Sequence, residues 1–153
     1  MEKKGQTEEA LKTYEELLFS GGNMLNMTLQ CMQIMALQAD DLPRARMLAE
    51  KQCALAEVLE MGDYAAACPL LEVTLRERDA EGLVTLVEKL LAAVDTLGAF
   101  TASPLYGHMT LKRVGPEFIQ TVRTGLIQDL RDGEEYAFVR DDPRWQAMLE
   151  KYE

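Results

Sequence analysis

The chain has a single histidine, His108, so no site that needs two imidazoles is built within one copy. Cysteine is also sparse. Cys31, Cys53 and Cys68 are odd in number, more than ten residues apart and embedded in apolar helical patterns, whereas secreted scaffolds use dense, even sets. They are expected to be reduced core thiols in a cytoplasmic protein, and their spacing does not suit a metal centre. The sequence has no Walker loop, no Gly-rich dinucleotide turn after a strand, no HExxH and no GxSxG, so neither catalysis nor a cofactor is expected. The N-terminal MEKKGQTEEALK lacks an apolar h-region, and neither end carries a lipidation signal, so nothing suggests export or anchoring. Basic residues are outnumbered 16 to 26, giving a net charge of −10 that repels phosphate backbones and anionic lipid. Direct nucleic-acid or membrane binding is therefore not expected, and a protein or peptide with a basic or apolar surface is the better partner.

At 153 residues and 48% hydrophobic, the chain is long enough for one domain or one short repeat array. The stretch from Met24 to Leu37 has no charge, and its apolar side chains point in almost every direction when wound as a helix. About fourteen residues reach only about 21 Å, short of a roughly 30 Å hydrocarbon core, and Asn26, Gln30 and Gln33 interrupt them. This predicts a buried core helix at the centre of the N-terminal half. Met24, Met27, Met32, Met35 and Met47 are expected to pack in that core, with an adaptable peptide-binding surface as the other use of such a cluster.

Helical spacing and punctuation set out the remaining elements. A first helix is expected from about Thr7 to Phe19, ended by Ser20-Gly21-Gly22-Asn23, with Asn23 capping the central helix. Asp41 and Pro43 should start a third helix running to about Glu60. A fourth, Tyr64 to Arg76, contains Pro69 and should bend there. Asp79 should cap a fifth from about Ala80 to Leu97, closed by Gly98. Residues 99–114 carry no period and read as an irregular loop. Gly115-Pro116-Glu117 opens a sixth helix with Phe118, Ile119, Val122, Leu126, Ile127 and Leu130 inward, and Asp142-Pro143 starts a last one holding Trp145, Met148 and Leu149. The organisation is helical hairpins over 1–98, the loop over 99–114 and C-terminal helices over 115–153, in a single domain.

Three segments share a phrase that puts a turn residue five positions before an alanine: Gly5 to Ala10, Asp40 to Ala45 and Gly62 to Ala67. KGQTEEALKTYEELL and MGDYAAACPLLEVTL resemble the inter-helix turn and second helix of tetratricopeptide (TPR) repeats, with the alanine (Ala10, Ala67) and a bulky residue four later (Tyr14, Leu71). AFVRDDPRWQAML is similar to an Asp-Pro-Arg-aromatic phrase that often closes bacterial arrays of that kind. The pattern is degenerate: the third copy follows the second too soon, and Gln33 and Leu55 occupy positions where the family has glycine. The resemblance implies an all-α fold of antiparallel hairpins stacked as a short right-handed TPR-like superhelix. It implies no ligand-binding residues, because the family's carboxylate clamp is not recognisable. The first copy starts at its turn, so one side of the first helix is expected to be open: either the chain is the C-terminal part of a longer protein, or that side is covered by a partner or a second copy.

The expected function is a protein–protein interaction module that binds a peptide or helix, with Tyr14, Met24, Met27, Tyr106 and His108 as candidate partner-binding residues. The alternative is a regulatory or dimerisation domain of a bacterial transcriptional regulator without its DNA-binding head, forming a homodimer through its N-terminal helices.

Overall fold

Three aspartates fix where helices begin. Asp41 accepts a hydrogen bond from the Arg44 amide (3.2 Å), Asp79 from Gly82 (3.0 Å) and Asp142 from Arg144 (2.9 Å), each satisfying a donor that the first turn leaves free. Pro43, Pro116 and Pro143 sit in first turns, where a missing N–H costs nothing. The computed structural model describes residues 2–153 and contains six α-helices: α1 (Glu2–Gln38), α2 (Leu42–Val58), α3 (Leu70–Arg76), α4 (Ala80–Ala93), α5 (Pro116–Asp132) and α6 (Pro143–Tyr152). Among the described residues there is no strand, and no helix is long and apolar enough to cross a membrane. The segment 99–114 is partly ordered into 3₁₀ turns at Ala99–Ala102 and Pro104–Tyr106.

The largest departure from expectation is α1, a single helix of 37 residues that runs straight through Ser20-Gly21-Gly22-Asn23. The glycine pair breaks nothing, because its use is close packing. A β-carbon on Gly22 would lie 2.4 Å from Leu59 Cδ1, so the bare backbone lets the end of α2 press against α1. Gly5, expected in a turn, is likewise inside α1.

The expected core position of Met24 to Leu37 is also overturned. Gln33, Ala36 and Leu37 are buried, but Met24, Met27 and Met35 are 62–69% exposed, and Met32, Ile34 and Met47 are exposed as well. Cys31 is exposed, while Cys53 and Cys68 are half-buried, and all three are free. One helix buries one stripe, and the rest of the chain covers only that stripe of α1.

The main core lies at the other end, where Leu83, Val87 and Leu91 of α4 meet Leu130 of α5 and Trp145, Met148 and Leu149 of α6. Trp145 is fully buried and stacked on Tyr136 at 5.5 Å. Phe118, expected inward, stays 57% exposed at the start of α5. A second cluster joins Ala36 and Leu37 of α1 to Ala45, Leu48 and Ala49 of α2 and Val73 of α3, and Ala67 with Leu86 and Leu90 bridges toward α4. The fourth helix begins only after Pro69. Residues 64–69 form consecutive turns, since proline cannot supply the amide an earlier start would require.

α1, α2 and α3 end alike. Asp40 (φ 56°), Glu60 (φ 53°) and Arg78 (φ 54°) each take the left-handed conformation that glycine normally supplies. Where glycine is present, at Gly62 (φ 100°), a β-carbon would stand 2.6 Å from the Thr96 carbonyl oxygen. Asp40→Gly should therefore raise stability by about 0.5–1 kcal/mol, and Gly62→Ala should lower it by about 1–3 kcal/mol. Urea unfolding monitored by circular dichroism separates the two directions.

Candidate functional site

The outer side of α1 is the largest apolar surface the fold leaves bare. Ten large side chains on this helix are exposed, from Met32 at 37% to Tyr14, Met24 and Met35 at 69%. They leave on the order of 1,000 Å² of apolar area, above the roughly 300–600 Å² of a typical monomer's largest patch and of the same order as the roughly 800 Å² per partner of a stable interface. The pattern is regular. Ala10, Tyr14, Leu17, Gly21, Met24, Thr28, Cys31 and Met35 are spaced alternately by four and three, the heptad seam of helices that pack side by side. Leu11, Leu18, Leu25 and Met32 flank the seam every seven residues, and no charged residue occurs between Leu17 and Ala39.

The inner side of the same helix is held by specific contacts. Glu15, nearly buried, accepts a hydrogen bond from the His108 amide (2.7 Å) and pairs with His108 Nδ1 (2.5 Å). Phe19 packs on Phe100 (5.5 Å) and edge-on against Tyr106 (5.6 Å), whose hydroxyl donates to the Leu59 carbonyl (2.8 Å). Arg76 donates to the Leu37 carbonyl (3.0 Å) and so satisfies the C-terminal end of a helix with no basic residue in its own last turn.

Beside the inner face lies a cleft of about 640 Å³, bounded by α1, α2, the 64–69 turns, α3 and Tyr136. Its α1 wall offers Asn23, Asn26, Gln30 and Gln33. Gln33 donates to the Pro69 carbonyl (3.2 Å) and accepts from Gln52 (2.6 Å), whose amide also reaches the Leu48 carbonyl (3.4 Å). Burial pushes the Cys53 and Cys68 thiols and the Tyr64 phenol up, and takes the Tyr136 phenol up to about 12. These groups stay protonated near neutral pH, and the cleft presents amides and apolar side chains beside the carboxylates of Glu72 and Glu135. Among the described residues no three His, Cys, Asp or Glu converge as a metal site.

The five candidate residues separate into two sets. Tyr14, Met24 and Met27 are exposed on the outer side of α1. Tyr106, expected to face a partner, is 2% exposed and acts as packing beneath α1, and His108 is the strap to Glu15. Leu17, Gly21, Thr28, Cys31 and Met35 complete the outer seam and escape a reading that breaks the helix at Gly21-Gly22. The signal that finds them is the unbroken alternation of four and three across that pair. Comparison with protein-family models, curated proteins and solved structures gives no match for this chain.

The buried amide pair yields a direct test. Gln33→Ala strands the Pro69 carbonyl and leaves the Gln52 amide only its long bond to the Leu48 carbonyl, and should cost about 1–3 kcal/mol. Replacing Gln33 and Gln52 together by leucine removes both partners and should cost less than the sum of the single losses, as read from urea midpoints.

Proposed function

We propose that this chain is a protein–protein interaction module that works by docking an apolar helix along the outer side of α1. The observation that carries the reading is the charge-free heptad seam between Ala10 and Met35, about 38 Å long, laid over a helix whose opposite side is already clamped to the body. Such a face loses apolar surface to a partner without reorganising the fold, because the side chains involved touch little of their own chain. Methionine suits the role, since its unbranched thioether adapts to an opposing surface. The acidic balance of the whole chain disfavours nucleic acid and anionic membranes as the occupant.

The rest of the fold is read as a degenerate TPR-like stack. Asp40 to Ala45 turns α1 into α2 with Ala45 fully buried at the crossing, and Ala67 is buried after the Gly62 turn. In that reading the outer side of α1 is the surface that a repeat turns toward its neighbour in the stack. A dimerisation domain of a regulator would use the same face, with a second copy as the occupant.

A photo-activatable benzophenone amino acid in place of Tyr14 tests this in cells. The expected result is a covalent protein–protein adduct that disappears when Leu17→Glu and Met24→Glu are added. If no adduct with any protein forms, this chain included, the docking role is lost.

A further inference from the structure

We infer that the helix received by this face is α1 of a second copy, laid antiparallel, with the two-fold axis crossing between Gly22 and Asn23. The inference rests on the docking role proposed for the outer side of α1 and names its occupant. In an antiparallel pair each a position of the heptad meets a d position of the partner helix. About this axis Tyr14 meets the partner's Cys31, and Gly21 meets the partner's Met24. Leu17 then meets the partner's Thr28, and Ala10 the partner's Met35. Every layer sets one large side chain against one small one, which fills the seam without gaps or overlap.

No neighbouring arrangement does this. Sliding by one heptad sets Gly21 against Cys31 in one direction and Tyr14 against Met24 in the other, leaving a void or a collision. A parallel pair stacks Gly21 on Gly21 and Tyr14 on Tyr14. The large–small alternation is thus complementary to itself, reversed, in one register.

Gly21 supplies an independent argument. A β-carbon there meets nothing within 4 Å in its own chain, and its φ is not positive. Glycine in an exposed helix interior is about 1 kcal/mol worse than alanine. The single chain gives it no use, unlike Gly22 one residue on, whereas the pair needs its missing side chain to admit Met24. The exposed apolar surface of α1, on the order of 1,000 Å² on each copy, is of the same order as the roughly 800 Å² per partner that a stable dimer buries. The flanking Leu18 and Leu25 of the two copies come together beside the central layers. With no charge between Leu17 and Ala39, nothing in the seam repels an identical helix.

The test is an exchange of the two central residues in the full-length chain. Wild type should sediment as a dimer. Gly21→Met sets methionine against methionine and Met24→Gly sets glycine against glycine, so each should weaken dimerisation by about tenfold or more. The double exchange restores large against small and should return to within about threefold of wild type. Gly21→Met improves helix propensity, and circular dichroism verifies that every variant stays helical, so loss of the dimer in that variant is not loss of the fold. A wild-type monomer at all concentrations overturns the inference. Benzophenone adducts with other proteins would then leave the docking role standing, and their absence would remove both. A double exchange as weak as the single ones, or a Cys31–Cys31 disulfide between copies, overturns the antiparallel register, which separates these two thiols by about 26 Å along the axis.

Discussion

α1 carries two different faces, and the rest of the molecule depends on how the inner one is held. In a folded protein most of a helix's stability comes from packing one face and not from its own backbone bonds, so the tertiary contacts along α1 decide how it is held. Phe19 beneath Phe100 and Tyr106, the Glu15 carboxylate on His108, and Leu59 seated on the bare backbone of Gly22 supply those contacts along its middle. Further along, Gln33 ties α1 to Gln52 and to the turn at Pro69, and Arg76 donates to the Leu37 carbonyl near its end. With the inner stripe fixed this way, the opposite stripe is presented at a constant angle to solvent.

The two larger hydrophobic clusters divide the labour. The Trp145 core anchors α4, α5 and α6 and contains most of the large fully buried side chains. The smaller α1–α2 cluster relies on alanines, with Ala45 and Ala49 fully buried, which draws two helices close without much apolar volume. Arg46 and Glu77, in contact at 2.5 Å and each about one-third exposed, join α2 to the end of α3. The N-terminal half therefore contains most of the exposed large hydrophobics, and the C-terminal half contains most of the core.

Much of this was legible from the residues. The aspartate caps, the prolines in first turns, and the inward faces of α4 and α6 follow from local chemistry that the tertiary structure leaves intact. The helix ends were harder, because Asp40, Glu60 and Arg78 sit where glycine would have announced a stop. Ser20-Gly21-Gly22-Asn23 misled for the reverse reason. Glycine punctuates a chain when it bends the backbone, but here the backbone is helical and the missing side chain is what matters. The uncharged Met24 to Leu37 segment signals burial in any single-chain reading. Hydrophobicity alone does not say whether the cover comes from the same chain. Of the candidate site, Tyr14, Met24 and Met27 were named as partner-binding candidates, but the two methionines were also expected in the core, and their exposure follows only from where the rest of the chain packs. Tyr106 was not visible as a packing residue, since its partners Phe19 and Leu59 are distant in sequence.

The central claim is that α1 is one unbroken helix through its glycine pair, clamped on one side and bare on the other. Hydrogen exchange of the individual amides from Phe19 to Leu29, followed by NMR, addresses it most directly. The account predicts that the Gly22 and Asn23 amides are protected to a degree similar to their helical neighbours, because each is hydrogen-bonded within the helix. Exchange of these amides at the rate of an unstructured peptide, with protection on either side, would contradict it.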